Sequence, residues 1–207
     1  MKSRLITLEG SEGAGKTTAL KTLCQKLDEW NVDYIVTREP GGEENAEKIR
    51  DILLHSEHLH PKTELLLMFA SRNEHIENVI KPALKRGQWV VSDRYVDASY
   101  AYQGEGRKLG FEVVKWFDDF IVGDIQPDLT LLMDIDPEIG LKRIKSRGQA
   151  DRIEQEGIEF FHRIAEGYRK KAKIHPQRYA IIDSAKSIPE VKTLIQKALN
   201  KHKRHLL

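Results

Sequence analysis

Gly10-Ser11-Glu12-Gly13-Ala14-Gly15-Lys16-Thr17 fits the pattern G-x-x-x-x-G-K-[ST] and follows directly on the apolar run Leu5-Ile6-Thr7-Leu8. That order, strand then glycine-rich loop then helix, is the context in which such a loop cradles phosphates. Its glycines let consecutive backbone N–H groups turn inward around a polyphosphate, Lys16 reaches the β- and γ-phosphates, and the Thr17 hydroxyl is placed to bind Mg²⁺. The following helix directs its positive end at the same anion. Leu20, Leu23, Cys24 and Leu27 give that helix an apolar stripe at i, i+3, i+4, i+7. Gly10, Ser11, Glu12, Gly13, Ala14, Gly15, Lys16, Thr17 and Thr18 are therefore the expected contacts of a nucleotide polyphosphate. The competing reading, a glycine turn without a ligand, is weakened by the strand before and the amphipathic helix after.

Four further apolar runs, Tyr34–Arg38, Trp89–Asp93, Leu129–Ile135 and Tyr179–Asp183, alternate with helical patterns. Phe161, Ala165, Tyr168 and Ala172 mark one of these helices, from Ile158 to Ile174, which stops before Pro176. The pattern predicts an α/β fold of the P-loop NTPase type, a five-stranded parallel sheet with helices on both faces and a short mobile lid. In such sheets ligands bind beyond the carboxyl ends of the strands, where Gly10–Thr17, Glu39–Gly42, Asp93–Tyr95, Asp134–Pro137 and Asp183–Ala185 all fall.

The chain's 207 residues suit one domain, 1–207, able to bury a core without disulfides. Its 34 Lys and Arg against 32 Asp and Glu give a formal charge of +2, so no basic field argues for nucleic acid. The single Cys24 lies on an apolar stripe and reads as an inert buried thiol. No run approaches the ~18 apolar residues of a membrane span and no secretory leader is visible, so a cytoplasmic protein with no membrane partner is expected. The basic tail Lys201-His202-Lys203-Arg204-His205 reads as a solvated helix end.

Asp93, closing the run Trp89-Val90-Val91-Ser92, is placed to hold Mg²⁺ or its water shell. Asp134 fits the same description, but it leads into Asp136-Pro137, a helix-start signature, whereas Asp93 is followed at once by Arg94, a candidate for a substrate phosphate. Arg38, at the end of the second run, is another such candidate, read against a surface ion pair. A carboxylate inside an anion-binding loop is electrostatically costly, so Glu12 is expected to meet a cation or a sugar hydroxyl. Lys142, Arg143, Lys145, Arg147 and Arg152 crowd segment 142–155. Because the loop carries no arginine, these residues read as a lid whose guanidinium neutralises a transferring phosphoryl, the alternative being a solvated charge run.

The combination Gly10–Thr18, Arg38-Glu39-Pro40-Gly41-Gly42, Asp93-Arg94-Tyr95, Ala101-Tyr102-Gln103-Gly104-x-Gly106-Arg107 and Asp151-Arg152-Ile153-Glu154 resembles bacterial thymidylate kinases, from Leu5 to about Ala185. The resemblance implies transfer of the γ-phosphoryl of ATP to dTMP, giving dTDP for dTTP synthesis, with Mg²⁺ as cofactor and a homodimeric enzyme. It implies that Lys16 and Thr17 bind the ATP phosphates and Mg²⁺, and that Arg38 and Arg94 hold the monophosphate. Glu12 would meet the deoxyribose 3′-hydroxyl, Arg72 a thymine carbonyl, and Ser99 and Gln103 the base, with Tyr102 filling the space of a ribose 2′-hydroxyl. Lys16, Asp93, Arg94, Arg147 and Arg152 would be the catalytic set. Two positions depart from the family pattern. Glu43 stands where threonine is usual, and the base-stacking phenylalanine, four residues before the arginine, is here Met68, with Phe69 three before Arg72. Either Met68 serves as a soft platform or Phe69 swings in.

Three other readings compete. A kinase for another nucleoside monophosphate would share the loop, lid and arginines. A GTPase-type switch finds an echo in Asp183-Ser184-Ala185-Lys186, but the chain has neither [NT]-K-x-D nor D-x-x-G. A non-catalytic nucleotide-binding module would have little use for Lys16, Asp93 and Arg94 together. The helix over Phe111–Val122 carries Trp116, Phe117 and Phe120, a stripe suited to core or interface.

Overall fold

The computed structural model describes residues 3–145 and 152–207. Its strands are β1 (Leu5–Glu9), β2 (Tyr34–Arg38), β3 (Trp89–Asp93), β4 (Leu129–Asp134) and β5 (Tyr179–Asp183). Its helices are α1 (Lys16–Glu29), α2 (Glu44–His55), α3 (Pro61–His75), α4 (Lys81–Lys85), α5 (Val96–Ser99), α6 (Phe111–Phe117), α7 (Pro137–Lys145), α8 (Ile158–Ile174) and α9 (Ile188–Leu206). Three π-helical turns extend helices: Ile76–Ile80 links α3 to α4, Tyr100–Gly106 continues α5, and Asp118–Val122 continues α6. The helix expected over Phe111–Val122 is thus α6 and its π turn.

All strand pairs are parallel, in the order β2-β3-β1-β4-β5. Strand β4 ends one residue earlier than the sequence pattern suggests. The chain turns there because the Asp136 carboxylate accepts the Glu138 N–H at 2.8 Å, which starts α7. Alternation along the strands divides the core. Ile6 and Leu8 pack with Val91, Leu131 and Met133 under Leu23 and Leu27 of α1 and Ile195 and Leu199 of α9. On the opposite face, Leu5 and Val90 meet Phe69, Ile76 and Tyr95, and Leu132 meets Phe161 and Ile164 of α8. Burial from both sides is why these strands read as nearly unbroken apolar runs. The two threonines that interrupt them, Thr7 and Thr130, satisfy each other across the sheet at 2.9 Å. Cys24 is half-buried rather than sealed in the core, and burial raises its thiol above the ordinary range.

Strand order reverses its progress at β1, flanked by β3 and β4. That switch point opens a crevice at the carboxyl ends of β1 and β3, which deliver the glycine loop and the Asp93-Arg94 pair to one place.

Candidate active site

The glycine loop is shaped by the backbone it touches. Gly10 has φ +144° and Gly13 φ +71°. A Cβ at Gly10 would lie 2.6 Å from the Met133 carbonyl oxygen, and one at Gly13 only 2.2 Å from that of Gly140. Only glycine lets the loop seat against the end of β4 and against α7. Ser184, from the turn after β5, braces it by donating to the Ala14 carbonyl. The Lys16 ammonium folds over the loop and donates to the carbonyls of Gly10 and Ser11, at 3.1 and 3.3 Å. Burial lowers its pKa, with Arg94 adding to the effect and Glu12 and Asp93 opposing it.

Arg94 occupies the left-handed region at φ +67°, a conformation costly for a residue with a side chain. Its N–H donates to Leu8 at 2.9 Å, which ties it to β1. This turn swings the guanidinium back over the loop, where it donates to the Gly10 carbonyl at 2.9 Å, pairs with Glu12 and lies 5.0 Å above the Tyr102 ring. Tyr102 also donates its hydroxyl to Glu12 at 3.0 Å. Burial pushes the Glu12 carboxyl upward, but Arg94 and Lys16 outweigh it and hold Glu12 below the usual carboxylate range. Glu12 is therefore an anion with built-in partners, which answers the cost of placing it in an anion-binding loop.

One cavity of about 270 Å³ joins Lys16, Thr17, Asp93 and Arg94 to Arg38, Met68, Tyr102, Gln103 and Arg152. Within it the Asp93 Oδ1 atom is buried and has no hydrogen-bond partner among the described residues. Among those residues no cluster of three His, Cys, Asp or Glu could hold a metal by itself. A Mg²⁺ held through one carboxylate, one hydroxyl, phosphate oxygens and water needs no such cluster, and the orphaned Asp93 oxygen with Thr17 in the same cavity fits that ion. Asp134 instead pairs with Arg169 at 3.0 Å.

Several expected contacts are placed elsewhere. Phe69 is fully buried and stacks on Phe117 with centroids 5.1 Å apart, while Met68 lines the cavity. Arg72 is sealed inside, donating to Glu39 at 2.8 Å, to the Ser99 hydroxyl at 2.9 Å and to the Tyr95 carbonyl at 3.1 Å. Neither Arg72 nor Ser99 lines the cavity. Arg38 is exposed and pairs with Glu47 at 2.9 Å. Arg152 donates to the Leu53 carbonyl at 3.0 Å and to Glu64 at 2.8 Å, which keeps it beside α2 and α3. Arg147 and residues 146–151 of the expected lid lie outside the described residues. Thr18 lines a second cavity of about 230 Å³, with Arg143, Ser184 and Lys186 on the other side of the loop. Glu43, the departure from threonine, is the N-cap of α2 and accepts the Ala46 N–H at 2.6 Å.

Sequence reading missed Arg50 and Glu64. Arg50 lines the main cavity and donates to the Pro40 carbonyl at 2.7 Å. No motif surrounds it, and only the fold of α2 beside the Arg38 turn brings it in. Gln103 donates its amide N–H to Glu64 at 2.8 Å, while its own Oε1 is buried and without a partner among the described residues.

A family model described as "Thymidylate kinase" matches residues 8–195. A thymidylate kinase of Nitrosospira multiformis is 46% identical over 200 residues, covering 96% of this chain and 98% of that protein. A thymidylate kinase of Pseudomonas putida is 48% identical over 193 residues, covering 92% of each chain. One of Lactobacillus acidophilus is 47% identical over 196 residues, covering 92% of this chain and 91% of its own.

Proposed function

The chain belongs to the thymidylate kinase family, and from that premise we propose that it transfers the γ-phosphoryl group of ATP to dTMP, giving dTDP for dTTP synthesis. The observation that carries the reading is the cavity in which a phosphate loop, four arginines and an amide oxygen without a partner among the described residues meet. The loop amides and Lys16 hold the β- and γ-phosphates of ATP. Arg94, Arg38 and Arg50 receive the acceptor's phosphate, and Glu12 accepts from the 3′-hydroxyl of its sugar. The Tyr102 ring stands where a 2′-hydroxyl would need room. Met68 offers the base a polarizable platform, and the Gln103 oxygen accepts the ring N–H of a pyrimidine dione.

Thr17 and Asp93 would hold Mg²⁺, which when bound spreads the charge of the β- and γ-phosphates. The acceptor phosphate oxygen is already anionic and needs little activation, so these side chains work by alignment and charge neutralisation. Arg147 and Arg152 are the proposed lid arginines of segment 142–155, within one kinase domain over residues 1–207. To act on the transferring group, Arg152 must leave Glu64. The second cavity, behind the loop, suits the base of the donor nucleotide, with Thr18 at its edge.

The partner of highest promise is a second copy of the chain. Trp116 and Phe120 are 61% and 74% exposed, and their rings stack 5.4 Å apart on one face of α6 and its π turn. An apolar pair of that size suits a homodimer interface. Among the described residues no helix is long and apolar enough to cross a membrane, and a cytoplasmic setting is the proposed one.

Measuring ADP formation with a panel of dTMP, dUMP, dCMP, dGMP and AMP tests the reading. The highest kcat/KM is expected for dTMP. Preference for a purine or for dCMP, or no turnover with any acceptor, would overturn it.

A further inference from the structure

Glu64 lines the cavity, and its carboxylate gathers three side chains, Gln103 and Arg107 from the turn Tyr100–Gly106 and its C-cap and Arg152 from beyond α7. It lies in the first turn of α3 with its side chain 1% exposed. Gln103 donates to its Oε1 at 2.8 Å, and the Arg107 Nε–H is shared between its two oxygens at 3.2 and 3.1 Å. Arg152 donates to its Oε2 at 2.8 Å. Burial pushes this carboxyl up, but hydrogen bonds and charge from Arg107, then hydrogen bonds from Gln103 and Arg152, bring it below the usual range. It is ionised at neutral pH, so it accepts hydrogen bonds and donates none.

That polarity decides how Gln103 stands. The two ends of a carboxamide are nearly the same size, so packing does not choose between them, and the hydrogen-bonding partner does. Turning the amide over would set its oxygen against a buried carboxylate and leave the NH₂ group without that acceptor, a double loss for groups shielded from water. With the NH₂ committed to Glu64, the oxygen is left on the other side, buried and without a partner among the described residues. Gln103 and Met68 line the same cavity, and Met68 lies one helical turn from Glu64 on α3.

Resting on the dTMP reading above, we infer that Glu64 is a specificity-determining positioning residue. By locking the Gln103 amide it presents an acceptor, not a donor, to the base. The pocket then takes a pyrimidine with a ring N–H beside a 4-oxo group and rejects a 4-amino pyrimidine, whose ring nitrogen at that position is itself an acceptor. Glu64 does this without serving as the base contact itself.

The test compares kcat/KM for dTMP and dCMP in the wild type, in Glu64→Gln, in Gln103→Ala and in the double variant. A glutamine at position 64 keeps the size and can donate as well as accept, so Gln103 is free to invert. The dTMP-to-dCMP ratio is expected to fall by about 10- to 100-fold, the scale of one mispaired buried polar group. In the Gln103→Ala background the same substitution is expected to leave the ratio unchanged, since Glu64 acts through Gln103. Equal losses for both substrates in Glu64→Gln would overturn the inference and leave only a structural role for the carboxylate. A wild type that prefers dTMP while Glu64→Gln retains the full ratio sinks the inference alone. A wild type that does not prefer dTMP sinks the functional reading and the inference with it. Should Glu64→Gln not fold, the wild-type chain labelled at glutamine nitrogens supplies the answer. Slow solvent exchange of the Gln103 NH₂ protons, with NOEs to the Glu64 methylene, is expected in the free protein. Fast exchange without those NOEs would refute the locked amide.

Discussion

The two ends of the main cavity are built in different ways. At the end proposed for the ATP phosphates the lining comes from six consecutive residues, Glu12 to Thr17, of one glycine-rich loop. At the acceptor end Arg38 comes from β2, Arg50 from α2, Met68 from α3, Arg94 from the turn after β3, and Tyr102 and Gln103 from a π-helical turn. A polyphosphate is a diffuse anion, and a row of N–H dipoles at a helix start meets it regardless of the neighbouring side chains. A base edge presents single donors and acceptors, so its pocket needs individual side-chain atoms held in one orientation by further side chains. Glu64 is hydrogen-bonded to Gln103 in that way. The widened π turn Tyr100–Gly106 lets the consecutive residues Tyr102 and Gln103 both reach the cavity, a use of π geometry common at functional sites.

If the phosphate end is local machinery, one side chain there controls the chemistry without supporting the fold. Lys16→Ala is expected to lower kcat by several orders of magnitude while circular dichroism and Tm stay close to wild type, because the ammonium touches loop carbonyls and not the core. Retention of more than about a tenth of the wild-type rate would remove Lys16 from the catalytic role, given the several kcal/mol expected of a charge-neutralising group.

At the acceptor end adjacent residues should separate into structure and function. Phe69→Ala opens a hole against Phe117 and is expected to cost about 3–5 kcal/mol of stability, read by denaturant titration. Met68→Ala, at the cavity wall, should cost little stability and raise the KM for dTMP. If both changes act on KM and neither on stability, Phe69 reaches the base and the two residues share one role.

A smaller effect separates shape from charge. Tyr102 carries the Arg94 guanidinium on its ring and donates to Glu12. Tyr102→Ala is expected to narrow the kcat/KM ratio between dTMP and its ribose counterpart by about 1–3 kcal/mol. Tyr102→Phe should keep most of that discrimination, since the ring does the excluding. Equal losses on both substrates in Tyr102→Ala would assign sugar selection to Glu12.

A last effect, on stability and not on turnover, lies behind both ends. Glu9 is sealed at the end of β1, where it accepts the Tyr95 N–H at 2.7 Å and the Tyr168 hydroxyl at 2.8 Å. Burial, then the charge of Asp97, pushes its carboxyl up to about 8. The folded chain therefore keeps a proton that the unfolded chain, near the ordinary carboxyl value of 4.5, has already lost. Between those two values stability declines as pH rises, and above the upper one the loss is complete. Glu9→Gln should remove this dependence, so the Tm of the variant relative to wild type rises from about pH 6 to about pH 9. A constant difference across that range would show that Glu9 titrates normally.

The contrast between the two ends also explains what could be read from the chain. The five strands, the helix from Ile158 to Ile174 and the loop from Gly10 to Thr17 were legible because apolar periodicity and glycine spacing are local signals. Asp93 and Arg94 were legible because they follow an apolar run at its carboxyl end. Arg50 carried no signal, and Glu64 takes its donors from the turn holding Gln103 and Arg107 and from Arg152, all distant from it in sequence, so nothing around position 64 points to a gathering carboxylate.

The amino-acid sequence by itself determined the parallel α/β sheet, the phosphate loop and the end of the sheet at which chemistry is possible. Only the tertiary structure decided that Met68 and not Phe69 faces the cavity, that Arg72 is committed to Glu39 and Ser99, and that the Gln103 NH₂ is committed to Glu64. The physical reason is that neighbouring residues on a helix, or the two ends of one amide, differ little in propensity. Which of them faces the ligand is set by partners distant in sequence, through packing and hydrogen bonds that exist only once the chain has folded.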